Sequence, residues 1–203
     1  MIPRIEQKIE LNKSNYLDLL KWMKFKGAKV LYPERIICSR YFDNKNMQMY
    51  YETIEGIVPR QKIRIRTYGS RKFLNSNKSY SLEIKKTTEY NRMKKTNKNI
   101  NLESLLSEGY YNKNYGLCKE IVDISYVREY FLVDNTRLTI DKEISYELID
   151  TSKVIDNKSF EEQSLVLEIK ADINTNLTFL MNNFSFPRTR FSKYERALDS
   201  LIK

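Results

Sequence analysis

The sequence predicts an α+β fold, a closed antiparallel β-barrel with covering helices, and three observations predict it. The first is Lys62-Ile63-Arg64-Ile65-Arg66. A β-strand turns alternate side chains to opposite faces, so Lys62, Arg64 and Arg66 line one face while Ile63 and Ile65 line the other. The second is that four further segments repeat the device. Ser81-Leu82-Glu83-Ile84-Lys85, Leu165-Val166-Leu167-Glu168-Ile169-Lys170, Glu6-Gln7-Lys8-Ile9-Glu10-Leu11 and Arg137-Leu138-Thr139-Ile140-Asp141 each set an ionic row against an apolar one. If the apolar faces look outward onto helices, the charged faces look at one another across a closed barrel lined mostly by cations. The third is a pair of helical patterns, one after the first strand and one at the C-terminal end of the sequence.

Taken in order, residues 4–11 read as a strand and 12–14 as a turn and cap. Tyr16, Leu19, Leu20 and Met23 recur at helical spacing, with Leu17 widening the stripe and Trp22 at its edge, so a helix is expected over 14–25, ending near Gly27. The next strand, 36–43, sets Ser39, Tyr41 and Asp43 against Cys38, Arg40 and Phe42, and 48–53 reads as another extended segment. The cationic strand covers 60–68. A polar hairpin loop over 69–78 leads to a strand at 79–87. Residues 88–101 read as a polar connection carrying Arg92, Lys94, Lys95 and Lys98, followed by a short helix at 102–108. The β-branched and aromatic run 121–133 sets Tyr126, Arg128 and Tyr130 opposite Val127, Phe131 and Val133. Asp134-Asn135 is a hairpin turn into a strand at 136–143. Strands at 145–149 and 163–170, a polar loop at 150–162 and a short helix at 174–183 follow. Ser192-Lys193-Tyr194-Glu195 is a capping-box pattern opening a helix with Ala197, Leu198, Leu201 and Ile202, and a helix N-terminus beside Lys193 suits an anion.

Composition narrows the function. At 203 residues the chain reads as one domain, 1–203, with 36 Lys and Arg against 26 Asp and Glu, a formal charge of +10 that favours a polyanionic partner. The absence of histidine removes Ser-His triads and histidine metal ligands. Cys38 and Cys118 form no C-x-x-C and read as buried thiols. The first residues lack the apolar core of a signal peptide, and no run approaches the ~20 apolar residues that span a bilayer. A cytoplasmic protein without a transmembrane segment is expected, with peripheral membrane contact through the positive surface left open. Five glycines, no G-x-x-x-x-G-K-[ST] and no G-x-G-x-x-G mean that phosphates would be held by side chains and not by a glycine-rich cradle.

Eight segments, in order, carry a resemblance: Glu6-Gln7-Lys8, Ser39-Arg40-Tyr41-Phe42-Asp43, Lys62-Ile63-Arg64-Ile65-Arg66-Thr67-Tyr68, Leu82-Glu83-Ile84-Lys85, Tyr126-Val127-Arg128, Arg137-Leu138-Thr139-Ile140-Asp141, Leu167-Glu168-Ile169-Lys170 and Phe191-Ser192-Lys193-Tyr194-Glu195-Arg196-Ala197. Together the chain resembles the CYTH-like, or triphosphate tunnel metalloenzyme, superfamily, and within it the VTC domain, the polyphosphate polymerase domain of the vacuolar transporter chaperone complex. The resemblance implies a tunnel that binds ATP and a growing polyphosphate with Mn2+ or Mg2+. It implies Lys8, Lys62, Arg64, Arg66, Lys85, Lys94, Arg128, Arg137, Ser192 and Lys193 as substrate-binding groups, with Arg64, Arg66, Lys85 and Lys193 at the chemistry. It also implies Glu168 at the metal and Glu6 and Glu83 at inward acidic positions. The sequence holds no counterpart of the inositol-phosphate-sensing domain or membrane helices of the eukaryotic assemblies, so regulation by that sensor is not expected.

The chemistry also follows from the residue types. Arginine forks match phosphate oxygens with paired hydrogen bonds, and lysine acts as a compact charge. Each close pair of unit charges interacts by roughly 4 kcal/mol at an effective dielectric near 20. Cations with few counter-charges are expected to repel one another in an empty tunnel. A carboxylate such as Glu168 suits a hard divalent cation that shares its shell with phosphate. Phosphoryl transfer needs positioning and charge neutralisation and no covalent nucleophile. A polyphosphate acceptor gives a polymerase; water gives a triphosphatase acting on inorganic triphosphate or nucleoside triphosphates. A third reading is non-enzymatic polyanion or nucleic-acid binding through the basic charge and the 15 tyrosines, but most of these fall in strands or helix stripes where core packing accounts for them, so no nucleic-acid partner is expected. Oligomeric state is not read from the sequence.

Overall fold

The computed structural model describes residues 4–74, 78–149, 158–172, 174–175 and 186–202. The elements are β1 (Arg4–Leu11), α1 (Lys13–Phe25), β2 (Lys29–Asn44), α2 (Gln48–Glu55), β3 (Arg60–Tyr68), β4 (Ser81–Thr87), β5 (Arg92–Asn97), α3 (Leu102–Glu108), β6 (Tyr110–Asn112), β7 (Gly116–Val133), β8 (Thr136–Leu148), β9 (Ser159–Glu161), β10 (Leu165–Asp172) and α4 (Lys193–Ile202). They fall into two compact units. The first comprises Met1–Arg35, Tyr126–Ile144 and Glu161–Phe191, and the second Ile36–Ser125, Ser145–Phe160 and Ser192–Lys203.

In the first unit the strand order is β1-β10-β8-β7. β1 pairs antiparallel with β10 from Arg4↔Asp172 to Leu11↔Leu165, and β10 with β8 from Val166↔Asp141 to Lys170↔Arg137. One face of this sheet gathers Ile9, Leu11, Leu138, Ile140, Leu165, Leu167 and Ile169 beneath Leu19, Trp22 and Met23 of α1. Burying each such side chain fully contributes roughly 1.5–3 kcal/mol, which is what holds α1 down. Asn12 opens the helix by accepting a hydrogen bond from Asn15 N at 2.8 Å. Of the expected stripe, Leu19 and Met23 are buried and Tyr16 packs part-buried against the core, while Trp22, expected at the edge, is buried at its centre and Leu20 and Leu17 are exposed. Asp134 and Asn135 both take positive φ, 44° and 60°, the backbone twist that a tight β7–β8 hairpin requires.

The second unit carries the order β7-β2-β3-β4-β5, with β6 on β7. The pairs β2·β3, β3·β4, β4·β5 and β6·β7 are antiparallel. Ile63 and Ile65 are fully buried together with Cys38, Phe42, Val122 and Ile124, as the alternation predicts.

Several expectations change. Residues 48–53 are helical, not extended: Asp43 accepts from Met49 N at 3.1 Å and Tyr50 N at 3.0 Å, Met49, Tyr50 and Thr53 are buried at one-turn spacing, and Gly56 at φ 74° ends the helix. The polar connection 88–101 contains β5, paired with β4 from Leu82↔Asn97 to Thr87↔Arg92; every residue of β5 is exposed, so no apolar row announces it. The strands expected at 136–143 and 145–149 are one strand that passes through Glu143 at φ 52°. The helix expected at 174–183 lies outside the described residues except at 174–175. An antiparallel, sheet-dominated architecture with few helices is thus present, and among the described residues no strand pairing closes it into a barrel. No helix of the described residues is long and apolar enough to cross a membrane.

Candidate phosphate-binding faces

In the first unit the face away from α1 is ionic. Register sets Lys8 beside Glu168, Glu6 beside Lys170, Glu168 beside Thr139 and Lys170 beside Arg137. Glu168, only 5% exposed, receives Lys170 Nζ at 3.2 Å, lies 3.7 Å from Arg128 Nη2 and accepts from Thr139 Oγ1 at 3.5 Å. It also shares a hydrogen bond with Glu6. Burial, then that bond, raises the Glu6 carboxyl above its ordinary range. Burial pulls Glu168 the same way, but the Glu6 bond and the charges of Lys170, Arg128 and Lys8 hold it well below. Burial, the shared hydrogen bond and the surrounding cations thus push the two carboxyl groups apart, Glu6 upward and Glu168 downward. Arg128 grips Asp141 through two bonds, Nε–Oδ1 at 2.5 Å and Nη2–Oδ2 at 2.7 Å. Arg137 stands 5.7 Å from the centre of the Tyr130 ring, and its buried Nε has no hydrogen-bond acceptor among the described residues. A buried donor without an acceptor is costly. Lys8 Nζ donates to Phe191 O at 2.9 Å.

The second unit's ionic face is more strongly cationic. Arg64 and Arg66 are 8% and 6% exposed and Glu83 is 2% exposed. Glu83 Oε2 accepts from Arg64 Nε at 2.8 Å and Nη2 at 2.6 Å, and Arg66 Nη1 lies 3.7 Å away. Lys94 Nζ holds the other oxygen. Burial tends to raise the Glu83 pKa, but Arg64, Arg66 and Lys94 outweigh it and lower it to about 2. Arg64 Nη1 also donates to Tyr41 Oη at 2.7 Å, and Arg66 Nε to Ser39 Oγ at 3.1 Å. Lys85 is exposed, in register with Lys62 on β3 and Lys94 on β5.

At the start of α4, Ser192 Oγ accepts from Lys62 Nζ at 2.7 Å and from Glu195 N at 3.3 Å, the second bond being one half of the predicted capping box. With both bonds incoming, the Ser192 hydroxyl can turn its own proton to an anion. Lys193 is the first residue of α4.

These contacts revise one expectation: the arginines are not left to repel each other, because Glu83 in one unit and Asp141 and Glu168 in the other counter them. Sequence reasoning also missed the supports. Tyr194 donates to Asp43 Oδ2 at 2.6 Å while its ring stacks on Tyr41 at 5.1 Å and 14°. Tyr41 thus links Arg64 to α4. The shared parity of Ser39, Tyr41 and Asp43 was the available signal. Arg40, of opposite parity, serves the other face: it grips Asp123 at 2.8 and 2.7 Å, bonds Glu120 at 3.0 Å and covers Phe73. Among the described residues no three acidic or thiol side chains gather into a group that could hold a metal ion by itself.

The chain belongs to the VTC domain family, whose sequence model matches residues 3–202, and through that family to the tunnel-fold superfamily. Among solved structures, a proposed adenylate cyclase from Vibrio parahaemolyticus is 13% identical and superposes with a TM-score of 0.55, over 96% of this chain and 97% of that one. A conserved hypothetical protein from Pyrococcus furiosus, also 13% identical, reaches a TM-score of 0.47 over 98% and 90%. At such identity the first is a likeness of fold alone, and the second is too slight to argue from. No curated protein matches the sequence.

Proposed function

We propose that the chain is a metal-dependent polyphosphate polymerase, a single tunnel domain over residues 1–203 that transfers the γ-phosphate of ATP to a polyphosphate chain. Membership of the VTC domain family supports an enzyme of the tunnel-fold type that handles nucleotides or phosphates. One observation carries the reading furthest: Arg64, Arg66 and Lys94 converge on the single carboxylate of buried Glu83. Three cations meeting on one buried acid bring guanidinium and ammonium donors together at a largely buried site, an arrangement that suits the oxygens of a triphosphate.

In this reading Arg64, Arg66, Lys85 and Lys193 bind the phosphoryl group in transit. Lys8, Lys62, Lys94, Arg128, Arg137 and Ser192 hold the rest of the donor and the chain. A terminal phosphate oxygen of the acceptor attacks the γ-phosphorus in line as the bond to the β–γ bridging oxygen breaks, and ADP departs with that electron pair. The chain's own groups position both partners and spread the charge over guanidinium and ammonium donors. Glu168 and Glu6 fit Mn2+ or Mg2+ by the chemistry of their donors, two hard carboxyl groups joined by a hydrogen bond. Such an ion, when bound, supplies neutralisation of phosphate charge, and phosphate or water oxygens complete its shell. A cytoplasmic location is part of the same proposal.

The test is incubation of the purified protein with ATP and Mn2+ or Mg2+, with and without a short polyphosphate primer, products being resolved on a gel stained for polyphosphate. Ladders that lengthen with time are the expected result. Free phosphate without ladders replaces the polymerase by the triphosphatase of the same fold, and neither product overturns both.

A further inference from the structure

Helix α1 buries one side in the first unit and leaves an unusual side in water. Opposite Leu19, Trp22 and Met23, the positions Leu17, Leu20, Lys21 and Lys24 follow the i, i+3, i+4, i+7 rule and share one face. Leu17 is 62% exposed and Leu20 36%, and Phe25 at the end of the helix is 76% and Val30 on β2 72% exposed. In the same stretch of chain Lys13, Lys21, Lys24 and Lys29 are exposed, with Lys26 partly so. Between residues 13 and 30 the one acid is Asp18, already paired with Lys21 at 3.1 Å.

Neither half of this pattern is explained by the fold. The core of the unit closes without Leu17, Leu20, Phe25 or Val30, and large apolar side chains grouped on a surface mark an interaction site. A nucleic acid would engage the lysines but has no use for aliphatic Leu17, Leu20 and Val30. An anionic bilayer takes both. Lysine stems lie along the headgroups with their ammonium groups at lipid phosphates, while leucine, phenylalanine and valine enter the boundary with the acyl chains. We infer that the exposed face of α1, with Phe25 and Val30, is a docking surface for an anionic lipid membrane. The inference does not depend on the reaction proposed above.

Flotation of the whole chain with vesicles tests it, using phosphatidylcholine alone or phosphatidylcholine mixed with phosphatidylglycerol. The expected result is binding to the mixed vesicles and far less to phosphatidylcholine alone. Leu17→Asn with Phe25→Ser lowers the partition coefficient at least about tenfold. Lys21→Gln and Lys24→Gln each lower it about fivefold. All four side chains are exposed, so the melting temperature and ATP turnover stay as in the parent. Three results overturn the inference: no binding to either vesicle, equal binding to both, or binding that excess inorganic tripolyphosphate displaces while the Leu17 and Phe25 substitutions leave it unchanged. Single-stranded DNA binding that these substitutions abolish, without any lipid binding, assigns the face to nucleic acid instead.

Discussion

The ionic faces of the two units are built from the same strand pattern but balanced differently. In the first, Glu6, Glu168 and Asp141 stand among Lys8, Lys170, Arg128 and Arg137. In the second, Glu83 meets Arg64, Arg66 and Lys94, with Lys62 and Lys85 in register beside them. The first face sets three carboxyl groups, two of them hydrogen-bonded to each other, against four cations. In the second, three cations meet on one buried carboxylate. Identical alternation therefore yields two differently balanced faces, and the balance of each depends on how many carboxylates the neighbouring strands supply.

This contrast can be broken by removing one arginine from each face. Arg128→Ala deprives buried Asp141 of its two-point partner and is expected to cost about 4 kcal/mol of stability, read from urea unfolding. Arg64→Ala leaves Glu83 with Arg66 and Lys94, so unfolding should shift much less while ATP turnover falls about a thousandfold. If the stability loss falls on Arg64→Ala and Arg128→Ala unfolds normally, the two faces do not differ as described.

Acid unfolding sharpens the comparison. Glu83 has its pKa lowered from 4.5 to about 2 in the folded chain, so the stability it contributes is complete above 4.5 and is lost as pH falls from there towards 2. The loss is on the order of 3 kcal/mol. In Glu83→Gln that part of the acid sensitivity disappears, and urea midpoints of parent and variant across this range would show it. Parallel profiles would mean that Glu83 is not held by its three cations in solution. Lys85→Gln is the smallest change. Its side chain is exposed, and water and salt screen it, so the KM for ATP should rise no more than about fivefold. A larger effect would place Lys85 as deep in the chemistry as Arg64.

Much of the site was legible because the information is local. Period-two alternation put Lys62, Arg64, Arg66 and Glu83 on ionic faces, and Glu6, Lys8 and Glu168 likewise, without any knowledge of which strand pairs with which. Ser192 and Glu195 announced the start of α4 in the same way. Arg40 shows the limit: its parity was clear, yet its partners Asp123 and Glu120 lie about eighty residues away and only pairing brings them to it.

The sequence by itself determined the faces of the strands, the hairpin at Asp134 and Asn135, the helix beginning after Asn12 and the cationic character of the chain. These follow from side-chain geometry, turn conformation and charge, each set within a few residues. Tertiary structure alone decided that 48–55 coils, because Asp43 and a buried face outweigh a short alternation. It alone decided that the wholly exposed β5 forms, because β4 offers it a row of hydrogen bonds. It also decided which carboxylate meets which cation, as in Glu83 with Arg64, Arg66 and Lys94, since that depends on register between strands far apart in the chain and on burial that makes each contact strong.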